Sequence, residues 1–262
     1  GNVVRWEYSI DGGSTWINLS KTTTTQAYNN LTDPTLYRAV VQNGGCAPAT
    51  SAIHSIAIDP VSVGGTVCGS ATRCSGSNSG TLTNSGRTGT IIRWEFSTDG
   101  GVTWNNIANT SATQSYLNLT QTTQYRVRVQ SGTCSAVYSS IATITISPNT
   151  VGGSISPATS TVCAGSNSGT LTLSGHVGGV VRWEFSIDGG VTWTNIANTS
   201  TSQNYTNLTT TRLYRARIQS GACGALYSTI ATINVDPATV AGNVTPASIT
   251  ECASGNAGTL TL

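Results

Sequence analysis

One stretch of sequence recurs along this chain every 88 to 89 residues. Three tryptophans mark the period: Trp6, Trp94 and Trp183. The text around them is nearly unchanged, and the second and third copies share the string RWEFS. A period of this length exceeds that of solenoid or propeller-blade repeats and suits a whole small domain. The sequence therefore predicts a tandem array of one domain.

The period divides the chain into two complete repeats, 60–148 and 149–237, between two partial ones. Residues 1–59 are expected to lack the first strands of the repeat, and residues 238–262 to supply only those strands. Together the partial repeats would rebuild one repeat short of a four-residue loop. The sequence is then either a piece of a longer array, which we prefer, or a chain whose tail completes the head of the next copy by strand donation.

Alternation of apolar and polar residues predicts about seven short strands in each repeat and no helix. In the third strand of the third repeat, Val181, Trp183 and Phe185 are expected to face the core, while Arg182 and Glu184 face outward together with Val180. The equivalent tryptophans Trp6 and Trp94 are likewise assigned to the core. The expected fold class is all-β, with tandem immunoglobulin-like β-sandwich domains arranged as an elongated rod.

Two further segments of the third repeat carry inward residues. The sixth strand is expected to bury Tyr214, Ala216 and Ile218. Tyr205 and Leu208 are expected to anchor a short strand and the corner that follows it.

Low charge excludes several function classes. Only 8% of residues are charged and the net charge is +2, so the chain lacks the basic field that binds nucleic acid or an anionic membrane surface. The apolar runs are too short for membrane insertion. His54 and His176 do not recur at equivalent positions, and the turn carboxylates stand alone. The expectation is therefore no metal and no cofactor.

A Ser-x-Asp-x-Gly-x-Thr-Trp motif occurs once in each of the three copies of the third strand and its turn. It matches the Asp-box of sialidase-like propellers, in which the Asp accepts backbone N–H bonds in a tight hairpin and the Trp packs beneath it. We assign it a structural role. The residues concerned are Asp11, Asp99, Asp188, Trp16, Trp104 and Trp193.

The Arg and Glu residues beside the core tryptophan can be interpreted as structural ion pairs or as part of a functional site. Glu95 is expected to face Arg126 or Arg128 on the neighbouring strand, and Glu184 to face Arg215 or Arg217, as exposed cross-strand pairs. The alternative is a ligand-binding face. Arg182, Arg215 and Arg217 could also imitate the arginine cluster of a sialidase, which is the least favoured hypothesis, because an enzyme seldom needs one active site in every repeat.

Two cysteines per repeat at fixed positions indicate disulfides and an oxidising compartment. The preferred pairing lies within each repeat and joins Cys74 to Cys134 and Cys163 to Cys223. Cys46, Cys68 and Cys252 are then unpaired or paired outside this sequence. The rival pairing bridges consecutive repeats across 28 or 29 residues, as Cys46–Cys74, Cys134–Cys163 and Cys223–Cys252.

The sequence combines a VCAG edge strand with RWE, a DGG turn, YR and a GAC turn. This combination resembles the immunoglobulin-like repeats of large secreted surface proteins of Bacteroidetes, including adhesins of the gliding-motility type exported by type IX secretion. The resemblance covers the whole chain. It implies an extracellular, cell-surface location.

These features favour a non-catalytic stalk or filament segment of a surface adhesin. Its expected partners are neighbouring repeats of the same chain, or other copies arranged head to tail. The alternative is a carbohydrate-binding module that holds surface glycans through Tyr28, Tyr116 and Tyr205. A sialidase-like glycosidase is the third hypothesis.

Overall fold

The computed structural model describes all 262 residues, and they form 23 β-strands. No helix is long and apolar enough to cross a membrane. The strands are β1 Asn2–Ser9, β2 Ile17–Leu19, β3 Thr35–Gln42, β4 Ala49–Thr50, β5 His54–Ile56, β6 Thr66–Cys68, β7 Ala71–Cys74, β8 Ser79–Ser85, β9 Thr90–Ser97, β10 Asn105–Ile107, β11 Thr113–Leu117, β12 Thr123–Gln130, β13 Val137–Tyr138, β14 Ala142–Ser147, β15 Ser154–Ser156, β16 Thr159–Cys163, β17 Ser168–Ser174, β18 Gly179–Ser186, β19 Thr194–Ile196, β20 Ser202–Thr206, β21 Arg212–Gln219, β22 Leu226–Tyr227 and β23 Ala231–Asp236.

The chain divides into two compact units. The first comprises residues 1–69, 81–115 and 124–143, and the second comprises residues 70–80, 116–123 and 144–262. Their boundary runs through the repeat 60–148, so the sequence period and the compact units do not coincide. The repeat 149–237 lies wholly within the second unit.

That repeat is a β-sandwich of two sheets. One has the order β15-β17-β20, and the other has the order β16-β23-β21-β18-β19 with β22 also on β21. All pairings are antiparallel except β16 with β23, which is parallel. The opening segment of the repeat thus contributes β15 to one sheet and β16 to the other, as in immunoglobulin-like domains. The expectation of an all-β, immunoglobulin-like fold is confirmed.

The core between these two sheets is built around Trp183, which is fully buried. Leu171 and Leu173 reach it from β17, while Ala216 and Ile218 reach it from β21. The buried set also includes Tyr205, Leu208 and Tyr214. Burial of apolar surface at roughly 25 cal/mol per Å² makes this cluster the main source of stability for the repeat.

The repeat 60–148 has the same strands in the same order. Its sheets are β11-β8-β6 and β10-β9-β12-β14-β7, with β13 also on β12. Trp94 is fully buried, as are Leu82, Val127 and Ile144. Each complete repeat therefore has nine strands. The count exceeds seven because the opening segment is split in two and a two-residue strand precedes the last one.

A β-bulge in β18 changes which of its residues face the core. The register of β18 against β21 shifts between Val180 and Arg182, so Val181 is the extra residue of the bulge. Val180 packs against the core, whereas Val181 is 38% exposed. The prediction that Val181 faces inward and Val180 outward is wrong, because the bulge reverses the alternation before Trp183.

The two flanking segments are simpler. Residues 1–59 form one sheet of order β2-β1-β3-β4 with β5 on β3, and Trp6 on β1 is only half-buried. Residues 238–262 form no strand, but a β-bridge joins Thr245 to Thr261. The equivalent pair in the third repeat is Ser156 and Thr172, which are also partners in register.

Candidate functional site

The Ser-x-Asp motif forms a hairpin whose polar side chains make their hydrogen bonds within the hairpin. In the third repeat, the Ser186 hydroxyl donates to Asp188 Oδ1 over 2.7 Å and accepts the Gly190 N–H over 2.8 Å. Asp188 Oδ1 accepts the Thr192 N–H over 2.9 Å, and the Thr192 hydroxyl donates to Asp188 Oδ2. Trp193 Nε1 donates to the Gly190 carbonyl over 2.9 Å. The polar side chains of Ser186, Asp188, Thr192 and Trp193 are thus all bound within the turn.

The serine, glycine and threonine bonds recur in the other two copies of the motif, and the tryptophan bond recurs at Trp104. The bonds to the carboxylates explain their acidity. The Thr15 hydroxyl and backbone N–H both donate to Asp11, and together with Ser9 they lower the pKa of that carboxyl to about 2. The Thr103 hydroxyl likewise holds the pKa of Asp99 well below its usual range, and the Thr192 hydroxyl does so for Asp188. Hydrogen bonds to the charged form stabilise it, so these groups stay ionised and fix the hairpin.

A buried carboxylate lies on the outer side of the larger sheet in each copy. In the third repeat, Arg182 Nη2 lies 2.6 Å from Glu184 Oε1 and Arg215 Nη2 lies 2.8 Å from Glu184 Oε2. Glu95 is held in the same way by Arg93 and Arg126. Of the partners expected on the neighbouring strand, Arg126 pairs with Glu95 and Arg215 pairs with Glu184. Each glutamate also pairs with a second arginine, which lies two residues before it on its own strand.

The expectation that these pairs are exposed is wrong for the carboxylates. The Glu184 side chain is only 2% exposed. The Tyr227 hydroxyl donates to Glu184 Oε1 over 3.5 Å. The Arg215 guanidinium lies between the rings of Trp193 and Tyr227, 3.9 Å from each ring centre. Burial by itself raises the pKa of Glu184, but hydrogen bonds from Arg215 and Arg182 outweigh it and the net shift is downward. The hairpin tryptophan is therefore packed on the ion pair of the sheet face.

The cysteines pair differently from either expected scheme. The structure joins Cys74 to Cys223, with Cα atoms 4.8 Å apart and a sequence separation of 149. The predicted bonds Cys74–Cys134 and Cys163–Cys223 are therefore wrong, and so is the rival pairing of neighbours along the chain. Cys46, Cys68, Cys134, Cys163 and Cys252 carry free thiols. The one disulfide links two consecutive repeats.

Strand direction explains this result. The cysteine of the opening segment does lie beside the last strand, but the two strands are parallel, and Cys74 is in register with Ser147 at the end of β14. Cys134 precedes β13 and lies at the other end, with its sulfur 3.5 Å from the carbonyl oxygen of Pro60. A strand of six residues spans about 20 Å, far beyond disulfide reach. We call the two ends of a repeat the exit end, at Ser147, and the entry end, at Pro60.

The disulfide belongs to a joint between the exit end of one repeat and the entry end of the next. Cys223 lies in the entry turn of its repeat, with its sulfur 3.3 Å from the Pro148 carbonyl oxygen. The Ala222 N–H donates to Ser147 Oγ over 3.3 Å, and a Cβ on Gly221 would lie 2.1 Å from that oxygen. The joint therefore favours glycine, which has no Cβ, at position 221.

The joint before it, between residues 1–59 and the second repeat, uses a different acceptor. Asp59 Oδ2 accepts the Thr133 N–H over 2.7 Å and the Thr133 hydroxyl over 3.0 Å. These bonds lower the pKa of Asp59. A Cβ on Gly132 would lie 2.1 Å from the Asp59 carboxylate. Sequence reasoning missed both joints, although the glycine two residues before the entry cysteine recurs in each complete repeat.

The tyrosines considered for glycan binding are not free in the complete repeats. Tyr116 is 5% exposed and Tyr205 is 7% exposed, whereas Tyr28 is 58% exposed. Tyr205 lies across Gly169, where a Cβ would come within 2.4 Å of the tyrosine hydroxyl oxygen. Tyr116 covers Gly80 in the same way. Tyr116 and Tyr205 are therefore core residues that present no exposed ring to a glycan.

No group of three or more His, Cys, Asp or Glu side chains is placed to hold a metal ion. The three arginines considered for a sialidase-like cluster, Arg182, Arg215 and Arg217, lie on one sheet face. Two of them, Arg182 and Arg215, are bound to Glu184.

The profile of one sequence family, described as "Domain of unknown function (DUF8696)", matches residues 1–60, 63–148 and 151–237. No curated protein matches the chain. Solved structures with similar architecture include the FN1-FN3 domains of chicken CNTN1, at 14% identity over 87% of this chain and 88% of that one, with a TM-score of 0.29. They also include titin domains A168-A170, at 13% identity over 90% and 89%, with a TM-score of 0.39. The N-terminal four Ig domains of Dscam1 isoform 4.44 match at 12% identity with a TM-score of 0.39; the match covers 89% of this chain and 65% of that one.

Proposed function

We propose that this chain, which belongs to the DUF8696 domain family by three successive matches, is a non-catalytic stalk segment of a secreted surface adhesin. In this proposal the repeats are spacers, and their partners are the neighbouring repeats of the same chain or other copies arranged head to tail.

The observation that carries the proposal is the bond between Cys74 and Cys223. A domain that acts alone gains nothing from a fixed angle to its neighbour, and its disulfides close loops within its own fold. Here the bond restrains the step from one repeat to the next, and the contact between Ser147 and the entry turn supports the same joint. Restraint of the joint is what a spacer requires.

The pairing can continue along an array. Cys163 is in register with Asp236 at the exit end of the third repeat, as Cys74 is with Ser147. Repetition of the same rule would bond Cys163 to the entry cysteine of a following repeat. Each joint would then carry one covalent bond.

The proposed location is extracellular, at the cell surface. Disulfides of this kind form and persist in oxidising environments and are rare in the cytosol. The resemblance to surface proteins of Bacteroidetes is part of the same proposal.

A lack of catalysis is proposed because the charged groups that might react are already paired. Both oxygens of Glu184 accept from arginine, and both oxygens of Asp188 accept from its own turn. Arginine pairing and turn bonds keep these carboxylates ionised, which suits support of the fold.

Small-angle X-ray scattering of the oxidised chain tests the proposal. A compact globule of this length has a radius of gyration of about 18 Å. Three repeats in line, each longer than a strand of about 27 Å, give a radius of gyration of about 30 Å. We expect the larger value, and a value near 18 Å would exclude a stalk.

The double variant Cys74→Ser/Cys223→Ser provides the matched comparison. We expect it to scatter as a more flexible chain, with a broader distribution of long distances. The single variant Cys68→Ser removes a free exposed thiol and serves as the control. If the double variant and the control scatter alike, the disulfide does not restrain the joint and the argument from it fails.

A further inference from the structure

Each complete repeat carries a third arginine on the outer face of its larger sheet, and that arginine has no acidic partner. Arg128 on β12 is in register with Arg93 on β9, and Arg217 on β21 is in register with Arg182 on β18. Like charges directly opposite each other on neighbouring strands are unfavourable. Two such pairs therefore stand in one small, weakly charged protein.

The nearby carboxylates do not compensate this charge. The six ion pairs of the chain all belong to Glu7, Glu95 and Glu184, and each of these is already held by two arginines. Arg128 Nε is shielded from solvent and has no hydrogen-bond partner. A guanidinium has five N–H donors, so each of these sites retains a surplus of donors and a local charge of about +2.

An aromatic ring borders each arginine pair. Tyr138 is in register with Arg128, and Tyr227 is in register with Arg217. Arg126 stacks at 3.8 Å from the centre of Tyr138, and Arg128 lies over the same ring at 5.9 Å. Arg215 stacks at 3.9 Å from the centre of Tyr227. The two tyrosines nevertheless remain 44% and 42% exposed. Each site thus combines anion-binding donors with a flat, partly apolar surface.

The fold does not require this arrangement. In the sheet of residues 1–59, the positions of the third arginine and the tyrosine are taken by Val40 and Thr50, which are paired in register. The hairpin and the ion pair of Glu7 with Arg5 and Arg38 form there all the same. The third arginine and its tyrosine are therefore additions to a sheet that is complete without them.

We propose that each complete repeat binds one oxyanion group of an acidic polysaccharide, through Arg93 and Arg128 in the second repeat and through Arg182 and Arg217 in the third. Arg93 and Arg182 use Nε and Nη2 for Glu95 and Glu184. The carboxylate or sulfate group accepts hydrogen bonds from the remaining guanidinium N–H groups of each arginine pair. The sugar ring rests on Tyr138 or Tyr227. One site per repeat suits a polymer with regularly spaced charges, and the net charge of +2 is too low for the continuous basic surface that nucleic acid needs. This inference does not rest on the stalk proposal.

Binding of the oxidised chain to three immobilised polymers tests the proposal: dextran sulfate, polygalacturonate and neutral dextran. We expect salt-sensitive binding to at least one charged polymer and none to neutral dextran. The two charged arms distinguish a sulfate site from a carboxylate site. Duplex DNA is included as a polyanion without sugar rings exposed for stacking.

The double variant Arg128→Gln/Arg217→Gln is expected to weaken this binding by about tenfold or more. The double variant Lys21→Gln/Arg73→Gln loses the same charge away from the sites and should change it less than threefold. Because the third arginines have no acidic partner, their loss should leave the melting temperature unchanged, which separates a binding defect from misfolding.

Three results would overturn the proposal. They are failure to bind either charged polysaccharide, an equal loss of binding in both double variants, and tighter binding to duplex DNA than to the polysaccharides. A folded Arg128→Gln/Arg217→Gln variant that has lost binding, beside a control that retains it, would support it.

Discussion

Cys74 lies opposite Ser147 at the end of the parallel strand pair β7 and β14, and this register places its sulfur at the exit end of the repeat 60–148. The sulfur is 3.2 Å from Asn149 Oδ1, one residue beyond the Ser147–Pro148 step. A cysteine in that position is out of reach of Cys134 in its own repeat but bonds with Cys223 in the next.

Peptide mapping under non-reducing conditions should recover a fragment that contains Cys74 joined to Cys223. In the chain-entropy model, a bond that closes a loop of this length stabilises the folded state by about 5 kcal/mol. The variant Cys74→Ser/Cys223→Ser should therefore unfold at a clearly lower urea concentration, whereas Cys68→Ser should not. Recovery of Cys74 joined to Cys134 would contradict the joint described above.

Substitution of Gly221 by alanine should damage the same joint. The residue has φ of +48°, and an added Cβ would lie 2.1 Å from Ser147 Oγ. We expect a loss of at least about 1–2 kcal/mol from the backbone conformation alone, with slower formation of the Cys74–Cys223 bond. Gly224→Ala is the matched control, because nothing lies within 4 Å of its Cβ position. Equal effects of the two substitutions on urea unfolding would refute this role for Gly221.

The hairpin carboxylates should make the fold sensitive to acid. Hydrogen bonds from Thr15 lower the pKa of Asp11 from 3.8 to about 2, so the folded state binds fewer protons than the unfolded state in this range. The stabilisation is then complete above about pH 4 and is lost as the pH falls towards 2. Asp11→Asn should destabilise residues 1–59 at pH 6 but hardly at pH 2, as measured by amide hydrogen exchange of the hairpin. Asp33→Asn, an exposed substitution in the same segment, should show no such pH dependence.

Replacement of Glu184 by glutamine should destabilise the third repeat. The substitution leaves Arg182 and Arg215 facing each other across a neutral side chain that is 2% exposed in the parent protein. We expect a loss of about 2–3 kcal/mol in the free energy of unfolding, since breaking a buried pair costs about 3–5 kcal/mol and these arginines are partly solvated. Glu251→Gln, an exposed position without an ion pair, should change it by less than 0.5 kcal/mol, which is about the usual limit for surface substitutions. A similar loss in both variants, read from tryptophan fluorescence in urea, would argue against the ion pair.

Much of the fold follows from local pattern. The period predicted the tandem domains, and alternation predicted the inward faces of Trp183, Tyr214, Ala216 and Ile218, because a strand in a sandwich must bury every second residue. The position of Val181 could not be predicted in this way, since a bulge depends on the register with a neighbouring strand.

The joint was less predictable for a related reason. The sequence spacing of the cysteines is compatible with several pairings, and the choice depends on whether β7 runs parallel or antiparallel to β14. Spacing alone also could not show that Glu184 is buried, because its partner Arg215 is packed between Trp193 and Tyr227 from separate segments.

The bond between Cys74 and Cys223 also determines what happens when the chain is pulled from its two ends. Tension that enters at residue 74 passes through the sulfur atoms to residue 223, so the backbone of residues 75–222 is not stretched from end to end while the bond is intact. Trp94 and Trp183 lie within this bridged stretch, and unfolding of the residues inside it adds no length to the molecule. Extension is then limited to the segments outside the bond, and reduction of this one disulfide would release about 3.3–3.6 Å of length for each residue of the protected loop.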